Sequence, residues 1–349
     1  MVDHLSEKAL LLVNLGSPDS YKISDVRRYL DEFLMDPYVI DAPFLLRYFI
    51  VKATILPFRP KESAEAYESI WWDEGSPLIV LSKQLQEAVQ NQVSYPVGLG
   101  MRYGSLSIKD AICKLRTNYT NLKELVVLPL YPHYAMASTL TVIEKTRKVI
   151  SELALDLKVS YIESFFDYGP YIDALTASIK PYFSNDEGSH LLFSYHGVPE
   201  RHVKKTDPTQ SHCFGNKDCC RVSSKAHRFC YPHHVKKTTA LVTRSLELKE
   251  TDWSLSFQSR LGRDPWLKPY TDYVLVELAE KGIKHLKVVC PAFVSDCLET
   301  IEEIGMRGKE DFLNAGGESF ELIPCLNIHE MWVDAIKQLM ETSSLHLKL

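Results

Sequence analysis

LLLVNLGSP (10–18) and LLFSYHGVP (191–199) are each a short apolar run followed, in register, by a glycine and a proline. Uninterrupted apolar runs of this length suit parallel strands covered on both faces, since an alternating pattern would leave one face to water. A second pair repeats the arrangement: KELVVLPLYPHYAMAST (123–139) and HLKVVCPAFVSDCLET (285–300). Each member of this pair follows a helix-like stretch, SIKDAICKLRTNY (107–119) and YTDYVLVELAEKG (270–282). Strand, helix and strand in alternation predict βαβ units and a parallel sheet. The expected fold class is α/β, built as two halves of related topology that divide near residues 165–175. Chance similarity of two generic α/β halves is the alternative, and the architecture is the same under either reading.

Length and composition agree with two domains. A chain of 349 residues exceeds one ordinary domain, and 45% hydrophobic against 24% charged residues is the balance of a chain with a full core. Mean hydropathy is -0.14, and no run approaches the ~18 uncharged apolar residues of a membrane span. A formal charge of -5 lacks the basic footprint of a general nucleic-acid binder. The start MVDHLSEKALLLVNLG carries acidic residues and no apolar stretch with a cleavage site. The expectation is therefore a cytoplasmic chain whose eight cysteines stay reduced. VGLGMRYG (97–104) has the wrong spacing for a dinucleotide fingerprint, and GxxxxGK[ST], HExxH and GxSxG are all missing. No nucleotide cofactor is expected.

Two excursions interrupt the halves: PFLLRYFIVKATILPF (43–58) in the first, and a cysteine-rich segment, 208–235, in the second. A last helix over 327–344 is expected to place Ile328, Met331, Trp332, Ala335 and Leu339 on one face and to pack back across the body.

In open α/β sheets ligands bind beyond the carboxyl ends of the strands, so the residues after these runs are where chemistry is sought. His196 lies just past a predicted strand end, where an imidazole can act as a base or a metal ligand, or simply cap a turn. Asp296, Glu299 and Glu303 fall at i, i+3 and i+7 of a helix predicted over 295–305, one acidic face. Such a face also serves as a solvated end favoured by the helix dipole. One imidazole and one carboxylate at the same sheet end make an open metal site rather than a closed cage. Leu15, Tyr131, Tyr134, Tyr195, Phe257, Trp266 and Phe293 lie at similar places and could wall a flat apolar ligand or belong to the core. Arg102, Arg260, Arg263 and Lys268 could hold ligand carboxylates or carry surface charge.

Together SYHGVP (194–199), FQSR (257–260) followed by PWLKP (265–269), and SDCLETIEE (295–303) resemble the ferrochelatase family, and the resemblance runs almost end to end. It includes LLVNLGSPDS (11–20), VRRYLDEFLMDP (26–37), GMRYG (100–104) and LPLYPHYAMAST (128–139). The resemblance implies two Rossmann-like domains, 1–168 and 169–326, around a porphyrin cleft, with 327–349 as the final helix. It implies insertion of Fe2+, a substrate here, into protoporphyrin IX or coproporphyrin III. By resemblance His196 and Glu299 handle the metal, and Asp296 and Glu303 line a metal or proton path. Leu15, Arg102, Tyr131, Ser259 and Trp266 become the expected porphyrin contacts. Segment 43–58 corresponds to the family's lip, where apolar side chains interrupted by Arg47 and Lys52 could rest on a membrane surface or pack on the body.

Three features depart from the family pattern. His133 and Ala135 stand in PLYPHYA where PLYPQYS is usual, and Cys297 stands where many relatives have histidine. The insert HCFGNKDCCRVSSKAHRFCYPHH (212–234) holds Cys213, Cys219, Cys220 and Cys230 and resembles the segment in which some bacterial relatives carry a 2Fe-2S cluster. Those relatives often have a further cysteine soon after the tyrosine, where this chain has His233, His234 and Val235. Tetrahedral zinc and spare reduced thiols are the alternatives. For the whole chain the competing readings are a chelatase for another metal such as cobalt, and a non-catalytic haem carrier or redox sensor.

Overall fold

The computed structural model describes residues 6–183, 188–262 and 264–346, with side chains to residue 342. Arg263, one of the candidate carboxylate holders, lies outside the described residues. The chain divides into two compact units. One comprises the chain up to Tyr131, Met136–Ser164 and the chain from Val333; the other comprises Pro132–Ala135 and Phe165–Trp332. The division thus falls at 164/165 rather than 168/169, and the loop Pro132–Ala135 belongs with the second unit.

The first unit holds four parallel strands, β1 (Lys8–Asn14), β2 (Val97–Met101), β3 (Glu124–Pro129) and β4 (Lys158–Tyr161), in the order β2-β1-β3-β4. The second holds β5 (His190–His196), β6 (Trp253–Gln258), β7 (His285–Val289) and β8 (Ser319–Leu322), in the order β6-β5-β7-β8. The two orders are the same permutation. The sequence pairs occupy equivalent places, β1 with β5 and β3 with β7. Central strands are covered on both faces, which is why Ala9–Val13, Leu125–Leu128 and Leu191–Phe193 are wholly buried and read as unbroken apolar runs. Within the first unit Leu11, Ile112, Leu115 and Val127 share a core; within the second, Leu192, Leu275, Val288 and Phe312 do.

The glycine that recurs in both motifs has the same physical cause twice. A side chain on Gly16 would put its Cβ 2.0 Å from the carbonyl oxygen of Tyr103, just past β2, and Gly16 also sits at φ +107°. A side chain on Gly197 would meet the carbonyl oxygen of Gln258, the last residue of β6, at 2.9 Å. At each strand end the neighbouring chain approaches closer than any Cβ allows.

The last helix, Glu330–His346, differs in phase from the expectation. Ile328 precedes it and is 50% exposed, and Met331 is 42% exposed. The buried residues are Trp332, Val333, Ala335, Ile336, Leu339 and Met340. Trp332 stacks on Phe165 at 5.4 Å, and Tyr171 meets it edge-on at 6.0 Å, which sets the helix rotation.

In the lip, Phe44–Phe49 is α-helical and Ile50–Ile55 is a π-helix. Phe44, Leu45, Leu46, Tyr48, Phe49 and Phe58 are exposed. The two expected cations do not break this surface equally. Arg47 turns inward, is buried, and donates to the Ala42 carbonyl at 2.8 Å, while Lys52 pairs with Asp31 at 2.5 Å.

Candidate active site

His196 is the last residue of β5 and is half-buried. Its Nδ1 lies 2.5 Å from the Gly197 carbonyl oxygen. That oxygen can only accept, so the neutral ring carries its proton on Nδ1 and leaves the Nε2 lone pair for a metal or a proton. The ring faces Phe293 edge-on at 6.1 Å.

The acidic residues do not form the single α-helical face that their spacing predicts. Glu299–Gly308 is a ten-residue π-helix, and Asp296 lies ahead of it. Its i→i+5 bonding changes which residues share a side, and π segments are rare and often mark functional sites. Asp296 is 9% exposed. Its carboxylate accepts from the Asn327 amide (2.7 Å), the Thr300 hydroxyl (3.0 Å) and the Cys325 backbone N–H (3.3 Å). With those partners Asp296 braces the entry to the π-helix.

Glu303 accepts from the backbone N–H of Ser259 at 2.8 Å and from the Ser259 hydroxyl. Burial raises its carboxyl above the ordinary range, the Ser259 hydrogen bonds and the charge of His196 oppose this, and Glu299 adds to it. His196 and Glu299 are therefore both near enough to act on the Glu303 carboxyl. Ser259, an expected porphyrin contact, is committed to Glu303 and sits at φ +63°, a conformation few non-glycine residues adopt. Trp266, another expected contact, is half-buried with its indole N–H on the Leu261 carbonyl at 2.8 Å.

Gln258 was not singled out by sequence reasoning, though it stands in the quoted FQSR. It is 3% exposed. It accepts from the Ser194 hydroxyl at 2.7 Å and donates to the Glu299 carbonyl at 2.8 Å, tying β5 and β6 to the first residue of the π-helix. A polar residue closing the apolar strand WSLSFQ was the available signal.

In the first unit Arg102 is held within a buried network. Its guanidinium pairs with Asp36 and donates from Nε to the Thr141 hydroxyl at 2.6 Å. Asp36 also accepts from the hydroxyls of Tyr103 (2.9 Å) and Thr141 (2.5 Å). Leu15 and Tyr131 are each half-buried.

The four insert thiols touch in pairs, Cys213 with Cys230, Cys230 with Cys220, and Cys220 with Cys219. Hydrogen bonding from Cys230 pulls the Cys220 thiol down to about 6, while Cys230 is raised and keeps its proton. Burial pushes Cys213 up to about 11. All eight cysteines are free thiols. Among the described residues no group of three or more His, Cys, Asp or Glu is placed to hold a metal ion. The departure His133 is buried, with Nε2 on the Thr238 hydroxyl at 3.0 Å.

The sequence profile named Ferrochelatase matches residues 7–344. The chain belongs to the ferrochelatase family. A ferrochelatase of Pseudomonas fluorescens is 50% identical over 349 residues, 99% of this chain and 100% of that one. A ferrochelatase of Stutzerimonas stutzeri is 51% identical over 337 residues, 96% of this chain and 98% of that one. Among solved structures, SirB from Bacillus subtilis with Fe3+ aligns with a TM-score of 0.52 and 12% identity over 97% of this chain and 96% of that chain, a likeness of fold.

Proposed function

We propose that the chain carries out its family's reaction at the β5 end and π-helix of its second unit, with His196 and Glu299 handling the metal and Glu303 receiving protons. The reaction is that of a lyase-type metal chelatase: Fe2+ enters a porphyrin, two pyrrole protons leave, and haem forms. The observation that carries the assignment of residues is the Nε2 lone pair that the Gly197 hydrogen bond leaves free on His196, at a strand end that Gln258 ties to the first residue of the π-helix, Glu299. The Nε2 lone pair accepts a pyrrole proton or passes the metal on. The carboxylates balance the +2 charge as iron sheds water, and the half-buried Glu303 carboxyl, with its raised affinity for protons, takes the second one. Anaerobic insertion assays with Fe2+, Co2+ and Zn2+ against protoporphyrin IX and coproporphyrin III test this. Turnover with Fe2+ is expected; porphyrin binding without turnover would leave a carrier instead.

The insert is read as a 2Fe-2S site. Cys213, Cys219, Cys220 and Cys230 would hold it. Three of them are buried; adjacent Cys219 and Cys220 suit a two-iron centre better than one tetrahedral zinc. Such a cluster supplies one-electron redox capacity. Protein purified anaerobically is expected to be coloured, with iron and inorganic sulfide in equal amounts. A colourless sample containing zinc, or no metal, would sink the cluster.

The exposed apolar lip supports peripheral contact with a lipid surface, since Arg47 is withdrawn from it. No described helix is long and apolar enough to cross a membrane. Leu45→Glu with Phe49→Glu is expected to reduce co-sedimentation with phospholipid vesicles several-fold. Unchanged sedimentation of the double variant would remove the lip from membrane contact.

A further inference from the structure

Gln258 ends β6 beside His196, the last registered pair of the two strands. Its main chain and its side chain both bond to neighbours of the proposed metal site. The main-chain carbonyl accepts from the Gly197 N–H at 2.8 Å, an approach that leaves no room for a Cβ. Gly197 in turn supplies the carbonyl that holds Nδ1 of His196, and the His196 carbonyl is held by the Tyr231 hydroxyl at 2.7 Å. The Gln258 side-chain amide reaches the other way, to the main-chain carbonyl of Glu299 at 2.8 Å. Ser259, the next residue, gives its N–H to Glu303 at 2.8 Å, so two consecutive residues hold the π-helix at two points.

The direction of each bond behind this contact follows from its last acceptor. A carbonyl oxygen cannot donate, so the Gln258 amide turns its nitrogen to Glu299 and its oxygen to Ser194. That oxygen also only accepts, so the Ser194 hydroxyl donates to it at 2.7 Å. With its one proton engaged, Ser194 accepts from the Thr271 hydroxyl at 3.1 Å, and Thr271 accepts from Ser256 at 2.8 Å. All four residues are buried. The chain of bonds starts on β6, passes the first residue of the helix Thr271–Glu280, crosses β5 two residues before His196, and ends on the first residue of the π-helix. Buried polar chains carry a desolvation cost that apolar side chains of the same shape avoid, and they specify one arrangement in return.

We propose that Gln258 is a positioning residue that fixes the spacing between the His196 imidazole and Glu299, and thereby sets the preference of the site for Fe2+ over Zn2+. The inference rests on the reading of those two residues given above, and deepens it. Fe2+ stands near the weak end of the usual affinity order for divalent metals, so a site that takes it must choose by geometry rather than by strength of binding. A pair held through Gly197 on one side and the Glu299 main chain on the other cannot relax toward the tetrahedral arrangement that zinc adopts. Small displacements of a reacting group matter, because misplacement by about 1 Å can cost a hundredfold in rate.

Anaerobic insertion of Fe2+ and of Zn2+ into protoporphyrin IX, measured on full-length Gln258→Leu, Ser194→Ala and the double variant, tests the assignment. Gln258→Leu keeps the main-chain bond to Gly197 and loses the amide. Its kcat for Fe2+ is expected to fall about tenfold and its kcat for Zn2+ by less than twofold, with the porphyrin KM moving less than about twofold. Ser194→Ala is expected to lower the Fe2+ to Zn2+ ratio by about threefold, and the double variant to do no more than Gln258→Leu alone, since both act on one path. A merely structural role would lower both rates by one factor, in step with the melting temperature. Equal losses with the two metals, or additive effects, would overturn the proposal. Should Gln258→Leu fail to fold, the ratio measured on Ser194→Ala decides, and an unchanged ratio overturns the proposal equally. His196→Ala separates this inference from the reading beneath it. If that variant is inactive while Gln258→Leu keeps the parent ratio, the role of Gln258 alone falls; if it is active, the metal-site assignment falls and takes the role of Gln258 with it.

Discussion

His196→Ala is expected to lower Fe2+ insertion by about a thousandfold or more, within the range that positioned acid–base groups contribute. The side chain has few structural duties. It bonds to the Gly197 carbonyl and meets Phe293 edge-on, while the anchors of the strand end, from Tyr231 and Gln258, fall on the backbone and survive the change. The thermal midpoint should therefore move by less than about 3 °C. Insertion rate and melting measured on the same preparation separate the two effects. A variant that keeps its rate within threefold would remove His196 from the chemistry; one that loses rate only because it unfolds would show in the melt. Asparagine in its place tests the requirement for a lone pair, because an amide at this position offers hydrogen bonds but no basic nitrogen.

Glu303→Gln is expected to lower turnover about a hundredfold and to stabilise the fold above neutral pH. Burial raises the Glu303 carboxyl above its ordinary range, so the folded chain binds this proton more tightly than the unfolded chain does. The contribution of this group to stability is full below the unfolded carboxyl value and is lost as pH rises through the folded value. Above that window the partly desolvated carboxylate is a standing cost that glutamine lacks. Glutamine can still accept from the Ser259 N–H and can donate back to the Ser259 hydroxyl. The melting temperature at pH 8 is expected to rise by about 2 °C, with no gain near pH 4. The acid limb of the rate profile, which reports the carboxyl losing its proton, should vanish. A variant less stable than the parent at pH 8, or one with an unchanged acid limb, contradicts this account. A group that weakens the fold where it works belongs with the strain often kept at functional sites.

Much of the fold was legible because its physics is local. LLLVNLGSP and LLFSYHGVP announce buried parallel strands by unbroken apolar runs, and each carries a glycine where a neighbouring carbonyl leaves no room for a Cβ. β4 and β8 gave weaker signals. They are short edge strands with partly exposed residues, and their identity comes from pairing with β3 and β7. The phase of the last helix also escaped, because packing of Trp332 on Phe165 decided it and not the count of apolar residues.

The candidate site divides in the same manner. Sequence placed His196 and Glu299 after strands of one sheet, since which residue follows a strand is a matter of chain order. Spacing misjudged the acidic face, because i, i+3 and i+7 coincide only in an α-helix, and the segment is wound as a π-helix. Ser259 looked available for porphyrin contact and Arg102 for a ligand carboxylate until their partners, Glu303 and Asp36, were seen. Both partnerships join residues more than forty positions apart, beyond the reach of any local pattern.

By itself, then, the sequence determined two α/β halves, the order in which chemistry-bearing residues leave their strands, the family, and a crowd of thiols between Cys213 and Cys230. Only the tertiary structure decided that Asp296 braces while a half-buried Glu303 takes the Ser259 hydrogen bonds, and that Tyr231, next to Cys230, bonds to the His196 backbone. Strand identity follows from apolar periodicity within a few residues. Hydrogen-bond partnership and burial depend on groups that the folded chain alone brings together.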